Sequence, residues 1–315
     1  MFFGRLNLWT NLFEDDFLVL FRLRLLSVLL MLSLASCFAP KELIKELELF
    51  NNTIINNIEI SRHYFEVDGD RLFYAAAGDP LRPALVIIHG TPGSWQQYAR
   101  YMLNEKLRER FYVIVVDRPG WGRSVAGDTQ EIISYQRHAT IFSAFSVALK
   151  NTSNQQPVIL VGHSLGSSIA PRVAMDYPGS INGLLLLAGT LSPELSGPRW
   201  YNKAARLPII TWLIGNDLKK SNLEILALRG EMEAMAPLWL DLKIPTIVVQ
   251  GMSDVYVYPE NADFAEKNFD PKLTEVIRLE HEGHLFPLTR REDVVAWSLC
   301  LLDRITNKVS LCDQG

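Results

Sequence analysis

Beyond residue 80 the chain alternates short apolar runs with stretches of helical length. The runs are Ala84–Ile88, Tyr112–Val116, Val158–Val161, Leu184–Leu187, Thr246–Val249 and Thr274–Leu279, closed by Gly or Asp turns. Their Val, Ile and Leu residues follow one another without polar alternation, which predicts strands buried on both faces of a parallel sheet. Between them, Trp95–Arg110, Ser134–Lys150 and Leu165–Tyr177 have helical length. Pro171 falls early in the third and predicts a kink or an end to its first turns. Upstream, His63–Val67 and Leu72–Ala75 flank Asp68-Gly69-Asp70, a hairpin signal. Strand alternating with helix predicts an α/β fold, a mostly parallel central sheet with helices on both faces.

One interval breaks the rhythm. From Leu191 to Asp241 no strand-like run occurs, and Pro-punctuated segments carry Trp200, Tyr201, Trp212, Leu213, Ile214, Leu226, Met232, Met235 and Trp239. This predicts a helical cap inserted over the carboxyl edge of the sheet, where ligands bind in open α/β sheets. Its apolar residues fit a substrate with a hydrophobic portion and fit a buried cap core equally well. The expected organisation is core over 61–190, cap over 191–241 and core again over 242–315.

The first sixty residues follow a different pattern. Arg22 and Arg24 precede the apolar run Leu25–Leu34, which ends in Ala35-Ser36-Cys37. Basic residues, a short apolar stretch and then small residues describe an export signal, too short for a comfortable membrane span. Leu34-Ala35-Ser36-Cys37 resembles the bacterial lipoprotein lipobox. That resemblance implies that 1–36 is a signal peptide and that Cys37 is acylated, anchoring an exported enzyme to a membrane. The competing reading is an uncleaved anchor helix. Glu14-Asp15-Asp16 do not suit a positive leader, and a start codon assigned too early would explain them. Residues 37–60, charged and then Asn-rich, read as a tether or short helix.

The chain has 315 residues, 48% of them hydrophobic, enough for one large domain with an embellishment, or at most two domains. Its net charge is −4 and no long basic run occurs, which argues against a nucleic-acid partner. Cys37, Cys300 and Cys312 lack zinc-like spacing. Cys300 and Cys312 are close enough in sequence to pair, although connectivity is not readable there.

Val158-Ile159-Leu160-Val161 runs directly into Gly162-His163-Ser164-Leu165-Gly166, followed by a helical segment. This is G-x-S-x-G in strand–turn–helix context. The sharp turn exposes a nucleophilic hydroxyl and aims the next helix's N-terminus at a developing oxyanion. With His89-Gly90-Thr91-Pro92-Gly93 after the first buried strand and Asp117-Arg118-Pro119-Gly120-Trp121-Gly122-Arg123-Ser124 after the next, the chain resembles the α/β-hydrolase superfamily from Arg62 onward. The resemblance implies that the backbone amides of Thr91 and Leu165 form an oxyanion hole, that His89 is structural, and that the Asp117–Ser124 turn has a backbone role. The triad order in that fold is serine, acid, histidine. Asp254, just past Thr246–Val249, fits the acid, with Glu194 as rival. His284, in Gly283-His284, fits the base, with His281 as rival.

A serine nucleophile suits attack on a carbonyl, whereas epoxide hydrolases and haloalkane dehalogenases of similar fold use aspartate. The expected function is therefore hydrolysis of an ester or related acyl bond in a small-molecule substrate, with neither metal nor organic cofactor required. Aminopeptidases of the proline iminopeptidase type carry a similar His-Gly-x-Pro-Gly loop, and Glu224, Glu231 or Glu233 could bind an amino terminus. Carbon–carbon bond hydrolases and cofactor-free haloperoxidases share this triad, and a non-catalytic binding protein could use the same fold.

Overall fold

The computed structural model describes residues 54–55, 57–126, 132–307 and 312. The chain divides into units of residues 1–52 and 53–315, and all described residues fall in the second. The expected signal peptide, Cys37 and most of the expected tether lie outside the described residues. The tether's last part, Ile54–Ile55 and Ile58–Glu59, forms a two-residue antiparallel pair.

Eight strands make one sheet: β1 (Ser61–Val67), β2 (Asp70–Ala77), β3 (Ala84–Ile88), β4 (Tyr112–Val116), β5 (Val158–His163), β6 (Gly183–Leu187), β7 (Thr246–Gly251) and β8 (Thr274–Leu279). Their spatial order is β8–β7–β6–β5–β3–β4–β2–β1. From β8 to β4 all neighbours are parallel, and β2 and β1 add antiparallel strands at one edge. The β1–β2 hairpin turns at Asp68 (φ 48°) and Gly69 (φ 86°), the left-handed pair that matches strand twist in a two-residue turn.

Successive strand residues point to opposite faces. Every residue of β3, β4, β5, β6 and β7 is buried, so both faces are covered. On one face Val86, Ile88, Ile114, Val116, Leu160 and Leu186 share a core with helix residues Phe142, Phe145, Ile169 and Val173.

The helices are α1 (Glu105–Arg110), α2 (Tyr135–Thr152), α3 (Leu165–Asp176), α4 (Trp200–Ala204), α5 (Pro208–Leu213), α6 (Asn216–Met235), α7 (Asn261–Asn268), α8 (Phe286–Thr289) and α9 (Arg291–Asn307). Two helical expectations need correction. Trp95–Arg110 is not one helix but a 3₁₀ segment, Trp95–Leu103, followed by α1. The break falls where the Asn104 side chain accepts the Leu107 amide at 3.1 Å and starts a new helix. Pro171 does not end α3, which runs on to Asp176. The proline removes one backbone bond, but it is buried among core residues whose packing sustains the helix. The cap comprises α4, α5, α6 and a 3₁₀ turn, Ala236–Asp241, with no strand among its residues.

Cys300 and Cys312 form a disulfide, with Cα atoms 5.7 Å apart. Among the described residues no helix is long and apolar enough to cross a membrane.

Candidate active site

β3 and β5 are neighbours although the chain leaves them in opposite directions along the sheet. This is the switch point where a crevice opens beyond the carboxyl ends of the strands. Ser164 sits there, between β5 and α3, at φ 55° and ψ −120°. A non-glycine residue in this region carries strain of about 1–3 kcal/mol and persists only where its surroundings enforce it. Here they do. The Ser164 amide donates to Leu187 O at 2.9 Å. The Ser167 hydroxyl reaches Gly162 O at 2.6 Å and accepts the Leu187 amide at 2.8 Å. The flanking glycines are needed for close approach: a Cβ on Gly162 would lie 2.5 Å from the Gly166 carbonyl, and one on Gly166 2.4 Å from Ile88 O.

Asp254 follows β7 and lies buried. Its Oδ1 accepts the amides of Tyr256 (2.8 Å) and Val257 (2.9 Å), while Oδ2 faces His284 Nδ1 at 2.7 Å. An ionised carboxylate only accepts, so His284 carries a proton on Nδ1, and the neutral ring in this tautomer leaves Nε2 as an acceptor. Burial alone would raise the Asp254 pKa, but the hydrogen bond and charge of His284 and the two amide bonds outweigh it and hold the carboxyl below its usual range. Glu194 is exposed and bonded to Ser192, and His281 is exposed. The structure thus pairs His284 with Asp254 and leaves both rivals outside that pair.

Two residues outside the expected triad tie His284 to the serine turn. His163, next to Ser164, donates from Nε2 to the His284 carbonyl at 2.9 Å, and the two rings lie 4.9 Å apart. With Nε2 donating, His163 Nδ1 accepts the Tyr98 hydroxyl, a buried bond. The arrangement requires a neutral His163, and burial, helped by His284, lowers its pKa to about 3. Burial also lowers His138 to about 4 and places His89 well below its ordinary value.

These shifts have a definite sign. Between about pH 6.5 and the lower values of the folded state the unfolded chain protonates these histidines and the folded chain does not, so stability falls as pH falls through that window. Each histidine is expected to cost about 2 kcal/mol at pH 5 relative to neutral pH. Urea midpoints at pH 7 and pH 5 test this, and an unchanged midpoint would show that these rings are not buried neutral.

The loop after β3 lies against the serine: a Cβ on Gly90 would fall 2.8 Å from Ser164 Cβ and 3.3 Å from its Oγ. Arg118, fully buried, organises this loop. Its amide donates to His89 Nε2, its Nε to His89 O and its Nη2 to Gly90 O, each at 3.0 Å. His89 Nδ1 donates to the same Gly90 carbonyl at 2.7 Å. In a trans peptide the carbonyl and the following N–H point opposite ways. Fixing Gly90 O from two sides therefore fixes the direction of the Thr91 N–H. His89 is structural, and the Asp117–Ser124 turn supplies more than backbone shape.

The charge of Arg118 is met by Glu224 of α6, at 2.6 and 3.1 Å, and Trp121 Nε1 donates to the same carboxylate at 3.0 Å. Glu224 is thus occupied, Glu231 accepts the Tyr135 amide (2.9 Å) and Glu233 pairs with Arg229 (3.1 Å). Replacing one partner of a buried pair strands the other charge. Glu224→Gln is expected to cost about 3 kcal/mol of stability, whereas Glu233→Gln, at an exposed pair, should stay within about 0.5 kcal/mol. Denaturant titration of both variants checks the contrast, and equal effects would remove the structural role given to Glu224.

Among the described residues no group of three or more His, Cys, Asp or Glu is placed to hold a metal ion. A family model described as the alpha/beta hydrolase fold matches residues 83–208. The chain is 25% identical over 277 residues to an (E)-2-((N-methylformamido)methylene)succinate hydrolase of Acinetobacter baylyi, covering 79% of this chain and 94% of that one. It is 30% identical over 119 residues to mouse epoxide hydrolase 4, a match that spans 38% of this chain and only 32% of that relative's length. Among solved structures it resembles a thioesterase domain from the curacin biosynthetic pathway, with TM-score 0.58 and 18% identity, covering 76% of this chain and 99% of that domain. Sheet order, serine turn and these matches agree, and the chain has the alpha/beta hydrolase fold.

Proposed function

We propose that this protein is a serine hydrolase that cleaves a carboxylic ester or related acyl bond through an acyl-enzyme. The observation that carries the reading is the His284–Asp254 pair, tied through His163 to the strained turn bearing Ser164. Ser164 Oγ attacks the carbonyl carbon while its proton passes to His284 Nε2. Asp254 holds the Nδ1–H tautomer and faces the imidazolium charge as it forms. The Thr91 and Leu165 amides receive the oxyanion, the latter as a helix N-terminal N–H without an intrahelical partner. His284 then protonates the departing alkoxide, and a water that loses its proton to His284 frees the acyl group from Ser164. The hydroxyl of Thr91 is buried without a hydrogen-bond partner among the described residues, so a bound substrate oxygen would satisfy it.

The engagement of Glu224, Glu231 and Glu233 weighs against an amino-terminus site in the cap, and so against the aminopeptidase reading. A fluorophosphonate should label wild-type protein at Ser164, and p-nitrophenyl esters should turn over faster than aminoacyl amides. A folded protein that takes no label would return the reading to a non-catalytic binding role.

The same proposal places the enzyme outside the cytoplasm, held to a membrane by acyl chains on Cys37. The Cys300–Cys312 bridge supports an oxidising compartment. Mass spectrometry of the mature N-terminus is expected to find acylated Cys37 as its first residue. An intact leader peptide with unmodified Cys37 would leave the anchor-helix reading.

A further inference from the structure

The two halves of the cap are built differently. The second half is core: Leu228, Met232, Met235 and Trp239 pack with the residues over the sheet. The first half faces outward, and neither α4 nor α5 contains a buried residue. Trp200 is 78% exposed, Ile209 70% and Trp212 80%, with Leu207, Leu213 and Leu218 also exposed. Single exposed apolar residues need no explanation, but so many within one short stretch mark an interaction surface.

The charge around them identifies the partner. Residues 199–220 hold Arg199, Lys203, Arg206, Lys219 and Lys220 against a single acid, Asp217, in a chain whose net charge is −4. Lys203 and Arg206 are exposed among the apolar side chains. Tryptophan and leucine interleaved with basic residues suit the boundary of an anionic bilayer, where indole rings sit at headgroup level and cations meet lipid phosphates. A second copy fits poorly, because a two-fold interface would set the same positive stretch against itself.

This surface begins at the rim of the candidate active site. Arg199, immediately before α4, donates to the carbonyls of Val255 (2.7 Å) and Tyr256 (3.3 Å), and its guanidinium lies 5.3 Å from the Tyr258 ring centroid. Val255 and Tyr256 follow Asp254 and are themselves exposed, and the Tyr256 ring lies 5.4 Å from that of His284. We infer that α4 and α5 form a docking surface for an anionic lipid bilayer, which seats the rim of the site at the membrane. Given the proposed hydrolase activity, the substrates favoured would be amphiphiles held in that surface.

The test uses the full chain on phosphatidylglycerol vesicles with brominated acyl chains, compared with vesicles of brominated phosphatidylcholine alone. The leader segment could hold the chain to either vesicle, so binding itself decides nothing, and the readout is quenching of Trp200 and Trp212. Bromolipid is expected to quench a component of wild-type emission that is missing in W200F/W212F. K203Q/R206Q should reduce quenching on the anionic vesicles to the level seen on neutral ones. Equal quenching in wild type and W200F/W212F would overturn the proposal. So would sedimentation showing a dimer that these substitutions dissociate, which assigns the surface to a second copy. Repeating the measurement in Ser164→Ala keeps the outcome independent of any catalytic activity.

Discussion

Ser164→Ala is expected to lower kcat for an ester substrate by about 10⁴-fold or more while the protein remains folded. The size follows from the coupling within the proposed triad: without the oxygen nucleophile, a base and its orienter have nothing to activate, and only binding and oxyanion stabilisation remain. The fold should tolerate the change because the turn is held by backbone groups and by Ser167, not by Ser164 Oγ. The Ser164 amide keeps Leu187 O, and its carbonyl still accepts the Ser167 amide at 3.0 Å. Alanine has the same Cβ as serine, so the strain at φ 55° is unchanged. Steady-state rates with a p-nitrophenyl ester, alongside thermal melting, measure both halves of the expectation. A folded variant that keeps a tenth of the wild-type rate would show that Ser164 is not the nucleophile.

What could be read from the chain and what could not divides along sequence distance. The runs Ala84–Ile88 and Tyr112–Val116 stand as strands with those bounds, because uninterrupted β-branched and aliphatic residues have few stable uses other than a doubly covered sheet. The hairpin was legible for a local reason, since Asp68-Gly69 supplies two left-handed residues in the turn. The split at Asn104 was also written locally, as a capping side chain three residues before Leu107, but the amphipathic stretch around it masks the signal. Pro171 misleads because local propensity is overridden by burial. The hold on the loop after β3 was not legible at all. Arg118 and Glu224 are 106 residues apart, and nothing near Glu224 in sequence marks it as the counter-charge of a buried arginine. Tyr98 and His163, 65 residues apart, are hidden in the same way. Motif residues are found by their backbone context. The residues that orient them are found only once the fold brings them together.

Asp254→Asn is expected to lower kcat by about 10³–10⁴-fold with little change in stability near neutral pH. Asparagine has the same shape, and its carbonyl oxygen can keep the Tyr256 and Val257 amides that now bond Oδ1. That leaves its NH₂ facing His284 Nδ1, in the place of Oδ2. An NH₂ donates, so Nδ1 must become the acceptor and the ring proton moves to Nε2. In the proposed mechanism the histidine would then present an N–H to Ser164 and could not take the hydroxyl proton. The geometry survives and the base is lost. A second consequence separates this account from general damage. The depressed Asp254 pKa contributes stability that is present above the ordinary carboxylate range and is lost as pH falls through its folded value. Asparagine does not titrate, so the variant should lose less stability than wild type between pH 5 and pH 3, while the steeper loss from the buried histidines remains in both. Rates at neutral pH and denaturation midpoints across the acid range test the two effects. A mild loss of activity here, with a severe one in Glu194→Gln, would move the acid to Glu194.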